Sequence, residues 1–293
     1  MLFVFVVTDW LFSGAVSTNI PISWTDKFIP HVLIAVNLPD NTRVSENVTI
    51  DLNSPHSLTL VSSDIDSSQG FRRVEVPSSN PQRSFQFESP LPIRTRSGEV
   101  MINSLDLSPN SSFARAANSF MITQTSLVIS PNFENIICGN FSLIPSGYGN
   151  GTWSFRNGLF PRQNIFLETA VNTISLPEQE YDAFLEEILD IETIRVYPSE
   201  SSEMMIADCD MDQLDEILPV FQYNIQGVNG TLVYINLSAR QYLLPPGRNG
   251  SCTISIRIAE DTRSLHIGSV VFRKYSIWFD NQFERIGVCE HSG

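Results

Sequence analysis

The strongest constraint on this chain is its punctuation. Short runs rich in β-branched residues recur along most of its 293 residues, each closed by Gly, Pro, Asn or Ser. Segments 31–37, 57–61, 99–102, 126–129 and 231–236 read as strands of this kind. Residues 62–92, rich in Ser, Pro and Gln, are expected to loop. One helix stands out. Pro177 opens it, Glu178 and Glu180 suit the positive end of the dipole, and Tyr181, Phe184, Leu185, Ile188 and Leu189 recur at helical spacing to give one apolar face. A shorter helix is expected over 211–218. No repeat of solenoid period is present. The pattern predicts an all-β protein with a few peripheral helices.

The formal net charge is −14, which argues against nucleic acid as a partner because phosphate binding needs a positive surface. Beyond that, an acidic surface is a plain solution to staying soluble. The chain opens Met1-Leu-Phe-Val-Phe-Val-Val and reaches small residues at 14–17. Residues 1–17 read as a short signal peptide without a basic start, although a buried strand would look the same. No other stretch approaches the roughly 18 apolar residues of a membrane span, so none is expected. Sequons at Asn47, Asn110, Asn140, Asn150, Asn229, Asn236 and Asn249 are expected glycosylation sites. Together these features predict a secreted protein, extracellular or in the secretory-pathway lumen.

Cys138, Cys209, Cys252 and Cys289 are even in number and contain no C-x-x-C pair. Two disulfides are therefore expected over a metal centre, with three connectivities open. The histidines His31, His56, His266 and His291 are scattered without metal-ligand spacing. No G-x-S-x-G elbow exists, and the Gly147–Gly151 run carries a sequon and no Lys. No metal and no cofactor is expected.

A family resemblance rests on the chain's last third. His266-Ile-Gly-Ser-Val-Val-Phe-Arg-Lys-Tyr-Ser-Ile-Trp-Phe-Asp-Asn-Gln-Phe-Glu-Arg-Ile-Gly-Val288 resembles the closing hairpin of pepsin-type aspartic peptidases. Gly268, Phe272, Arg273, Tyr275, Phe279, Asp280, Arg285, Ile286 and Gly287 match, while Ser269 stands where that family has Asp. Cys209, Leu218-Pro-Val-Phe221, Tyr242-Leu-Leu-Pro245 and Cys252 follow in the family's order, as does the helix after Pro177. The resemblance implies a bilobal pepsin-like (acid protease) fold with a shortened N-terminal lobe at 18–135, a C-terminal lobe at 136–293 and a few short helices. It also implies a Cys209–Cys252 bridge, which leaves Cys138 to pair with Cys289.

The same resemblance locates two altered catalytic motifs. Asp51-Leu52-Asn53 and Glu168-Thr169-Ala170 lie where the family carries Asp-Thr-Gly. Aspartic peptidases hold two carboxylates a hydrogen bond apart, sharing one proton, so that one activates water while the other donates to the carbonyl. Five departures accumulate here. Asn53 and Ala170 add side chains where glycine is favoured, and Leu52 removes a locking hydroxyl. Val171 removes another hydroxyl, and Glu168 lengthens a carboxylate arm by roughly 1 Å in a site that tolerates about 0.5 Å. The flap tyrosine has no match, Phe85-Gln86-Phe87 being the nearest candidate strand. The expected function is a secreted aspartic-peptidase homologue without catalysis, binding a protein or peptide in the inter-lobe cleft. The alternative is an active endopeptidase working through an Asp51/Glu168 dyad at acidic pH.

Overall fold

The computed structural model describes residues 17–37, 43–52, 58–59, 71–80, 83–90, 104–108, 111–129, 139–142, 149–155, 158–159, 163–199, 203–226, 232–247, 249–259, 264–280 and 285–290. Residues 1–16 of the expected leader and the strand expected at 99–102 lie outside them.

Twenty-four described strands follow the chain. The first half gives β1 (Thr18–Pro21), β2 (Ser23–Trp24), β3 (Pro30–Asn37), β4 (Arg43–Asp51), β5 (Leu58–Thr59), β6 (Phe71–Pro77), β7 (Ser84–Pro90) and β8 (Ser104–Asp106). Helix α1 (Ser112–Ala117), β9 (Ser119–Ile122) and β10 (Ser126–Ile129) follow. The second half gives β11 (Gly139–Ser142), β12 (Gly149–Phe155), β13 (Gly158–Leu159), β14 (Gln163–Leu167), β15 (Ile174–Leu176), helix α2 (Glu178–Leu189), β16 (Val196–Pro198) and β17 (Met204–Ile206). Helix α3 (Met211–Ile217), β18 (Phe221–Gln226), β19 (Leu232–Leu237), helix α4 (Ala239–Tyr242), β20 (Cys252–Thr253), β21 (Ile256–Ile258), β22 (Ser264–Ile267), β23 (Tyr275–Asp280) and β24 (Arg285–Glu290) complete it.

Two large sheets are built from one half of the chain each. The first runs β5-β8-β4-β3-β6-β7, and the second runs β19-β18-β12-β14-β22-β15-β21. A six-stranded sheet, β1-β10-β9-β23-β24-β11, draws three strands from each half. Its halves meet where β9 pairs antiparallel with β23, and there Phe120 stacks on Phe279 with ring centroids 4.8 Å apart. Both rings are fully buried, so the junction is apolar core.

Within the stretch 62–92 that was expected to loop, the described segments 71–77 and 84–90 are strands. β6 and β7 form an antiparallel hairpin in which Val74 pairs with Phe87 and Val76 with Phe85. Alternation is what the Ser and Pro content concealed: Val74, Val76 and Phe87 are buried, and Phe85 and Phe87 both pack on Phe113. The hairpin's turn is pinned to β1 by the Ser79 N–H, which donates to the Asn19 carbonyl at 2.9 Å. Phe85-Gln86-Phe87 is therefore a strand that packs Phe85 and Phe87 on the core.

Helix α2 begins one residue after Pro177, its N-cap, and buries Phe184 and Ile188 as the spacing predicts. Leu189 departs from that prediction. It ends the helix and is 59% exposed. Helix α3 is capped by Asp210, whose carboxylate accepts the Asp212 and Gln213 N–H groups. Cys209 beside it is bridged to Cys252, with Cα atoms 5.4 Å apart. Among the described residues, no helix is long and apolar enough to cross a membrane.

Candidate functional site

Two three-strand units of the same design place the two acids singled out from the sequence. In the first, β8 lies between β4, which runs parallel to it, and β5, which runs antiparallel. In the second, β22 lies between parallel β14 and antiparallel β15. Asp51 is the last residue of β4 and stands opposite Asp106. Glu168 follows β14 directly, its N–H donating to the Ile267 carbonyl at 2.9 Å. Extending that register by one residue sets Glu168 opposite Gly268. The sheets thus deliver Asp51 and Glu168 to equivalent strand ends, with Asp106 and Gly268 as their equivalent neighbours.

Glu168 is held by an imidazole from the neighbouring strand. His266 Nδ1 donates to Glu168 Oε1 at 2.7 Å, and both side chains are largely buried. The imidazole is held by stacking on Phe166, its partner across the register, with centroids 5.0 Å apart. Thr169 follows, fully buried, and its Oγ1 has no hydrogen-bond partner among the described residues. A hydroxyl in that condition loses its hydration without compensation. The loop 168–173 then closes onto Gly268. A Cβ there would lie 2.4 Å from the Thr173 carbonyl oxygen and 2.7 Å from that of Val171, so only glycine fits.

The first unit has an acid where the second has that glycine. Asp106 is buried, and its carboxylate accepts the Ser108 N–H at 2.7 Å and the Ser108 hydroxyl at 2.9 Å. Burial pushes its pKa up to about 6, the two Ser108 bonds oppose the shift, and the charge of Asp51 adds to it. Leu52, beside Asp51, is fully buried. Carboxylate chemistry at this end thus involves two acids on adjacent strands.

A clamp joins the N-terminal segment to the C-terminal half next to the site. The loop after β2 turns tightly at Phe28, which adopts a left-handed backbone with φ 62°. The Ser269 hydroxyl, which stands where the family has an acid, donates to the Phe28 carbonyl. Phe28 stacks on Trp24 at 4.4 Å, and Arg273 lies over the Phe28 ring at 5.3 Å. Arg273 also donates to the Gln241 and Leu243 carbonyls, and burial lowers its pKa. A cavity of about 520 Å³ opens beside this clamp, lined by Lys27 and Ile29 on one side and by residues 170–173 and 253–258 on the other.

The remaining expected sites fall as follows. Cys289 is disulfide-bonded, while Cys138 lies outside the described residues. Asn47 on β4 and Asn249 are exposed, and Asn236 on β19 is half-buried. Asn140 and Asn150 lie in β11 and β12, and Asn110 and Asn229 lie outside the described residues. His31 bridges β3 to β4, its Nδ1 donating to the Ile29 carbonyl and its Nε2 meeting the Thr49 hydroxyl, both at 3.1 Å. His56 and His291 lie outside the described residues. No cluster of metal-ligating side chains occurs among the described residues. His266 and Asp106 were not legible as site residues from the sequence. The one available signal for Asp106 was an acid set between two leucines.

The chain has the pepsin-like aspartic-proteinase fold. Its solved neighbours include the aspartic proteinase from Irpex lacteus, with TM-score 0.68 and 9% identity over 94% of this chain and 98% of that one. Basic 7S globulin from soybean is a second, with TM-score 0.67 and 10% identity over 94% and 97%. No protein-family model and no curated protein matches the sequence.

Proposed function

We propose that this is a secreted, glycosylated pepsin-like protein without peptidase activity, binding a protein or peptide ligand in the cleft between its two lobes. The observation that carries the reading is the 2.7 Å bond from His266 to Glu168. One oxygen of that carboxylate is committed to an imidazole, whereas an aspartic dyad needs its carboxyl groups to share a proton with each other. Ala170, Val171, Leu52 and Ser269 point the same way, each replacing a residue that supports the dyad in the family. The fold alone decides nothing, since one neighbour is named a proteinase and the other a globulin. The Cys209–Cys252 bridge and the exposed sequons at Asn47 and Asn249 support a secretory route.

A second reading, an acid endopeptidase using Asp51 and Glu168, draws on their equivalent places at the ends of β4 and β14. The two part on one experiment. The glycosylated protein is incubated with a broad peptide library from pH 3 to 7, beside Asp51→Asn and Glu168→Gln. The binding reading expects no cleavage by any of the three and equal peptide retention. Cleavage by the parent that both variants lose would establish the peptidase.

A further inference from the structure

The cavity beside the Phe28 clamp carries more cations than acids on its lining. Acids outnumber Lys and Arg by 32 to 18 along the chain, yet two cations, Lys27 and Arg257, and one carboxylate, Glu203, line this cavity. Four other described cations meet acids: Arg43 with Glu75, Arg195 with Asp208, Arg240 with Asp212 and Asp215, Lys274 with Glu290. Neither Lys27 nor Arg257 pairs with a carboxylate among the described residues.

Arg257 is also pre-positioned. It sits on β21 opposite Ser175 of β15, and its Nε donates to the Ser175 hydroxyl at 2.9 Å. That bond fixes the stem and leaves the terminal guanidinium nitrogens, which make no other hydrogen bond among the described residues, for a guest. A guanidinium held in this way presents paired donors matched to a carboxylate. Lys27 reaches the same cavity from the clamp loop, so both halves of the fold contribute one cation. The volume of about 520 Å³ lies within the range of pockets that enclose small ligands.

We propose that this cavity selects an acidic side chain of a bound peptide, with Arg257 and Lys27 as its specificity-determining residues. The inference rests on the peptide-binding reading above and names the ligand class that the reading leaves open. Aspartate or glutamate seats its carboxylate on the Arg257 donors, and Lys27 adds charge without fixed geometry.

The test uses the whole glycosylated protein, immobilised and exposed to a randomised N-acetyl hexapeptide-amide library at pH 7. Retained peptides are expected to be enriched in Asp or Glu at one position over Asn or Gln. For the best peptide, Arg257→Ala lowers affinity about tenfold, as expected of a charge-assisted contact. Arg257→Lys loses less, and the Glu→Gln or Asp→Asn analogue of that peptide binds parent and Arg257→Ala alike. Lys27→Glu with Arg257→Glu moves the enrichment to Lys and Arg. Arg257 is exposed, and matched thermal unfolding of the variants confirms that they fold. Peptides retained without acidic enrichment overturn the inference and leave peptide binding standing. Retention of no peptide overturns both.

Discussion

His266 Nδ1 lies 2.7 Å from Glu168 Oε1, across 98 residues of sequence. The contact exists because β14 and β22 run parallel in a register that sets Phe166 against His266 and leaves Glu168 one step beyond the strand. It holds the loop 168–173 as well as occupying the carboxylate.

Replacing His266 with Phe keeps a ring on Phe166 and removes the bond. The expected cost is about 1–2 kcal/mol in denaturant unfolding. A double-mutant cycle with Glu168→Gln should return a coupling of similar size. Coupling near zero would mean that the bond contributes nothing to the folded state.

Asp106 predicts an unusual pH profile for stability. Its folded pKa of about 6 exceeds the unfolded value of 3.8, so the folded state binds the proton more tightly. Its contribution is therefore full below about pH 4 and is lost as pH rises through 6, by about 3 kcal/mol at most. Asp106→Asn should lose this one contribution, so its stability gains on the parent as pH rises from about 4 to 6 and it is the more stable of the two at pH 7. Thermal unfolding at half-unit pH steps checks this, and identical profiles for the two proteins would refute it.

Thr169 carries a buried hydroxyl with no partner among the described residues. Thr169→Val keeps the shape and deletes the unsatisfied group, so stability should rise by about 1 kcal/mol. A loss of that size on chemical denaturation would show that the hydroxyl has a partner after all.

Much of the fold was legible because local chemistry and tertiary packing agree. The spacing of Phe184 and Ile188 marked one helix, and the alternation of Tyr275 to Phe279 with a return at Arg285 announced the closing hairpin, although Asp280, read as turn, ends the strand. Cys209 and Cys252 followed from the order of the motifs around them. The hairpin of β6 and β7 was hidden because Ser, Pro and Gln at its exposed positions outweighed the alternation of Val74, Val76, Phe85 and Phe87. Leu189 was misplaced because periodicity does not say where a helix stops. The site was legible only in part. Asp51 and Glu168 could be located by their neighbours, but His266 and Asp106 reach them through parallel strand registers, which leave no local trace.

The β9–β23 pairing also sets a timetable for synthesis. β9 presents an open edge carrying Phe120 as soon as the first half emerges, and its partner Phe279 is made about 150 residues later. At about 5–20 residues per second, that edge waits on the order of ten seconds or more. An unpaired strand with a bare aromatic is a template for other chains over that interval. The edge of the newborn first half stays open until the chain's final hairpin arrives to close it.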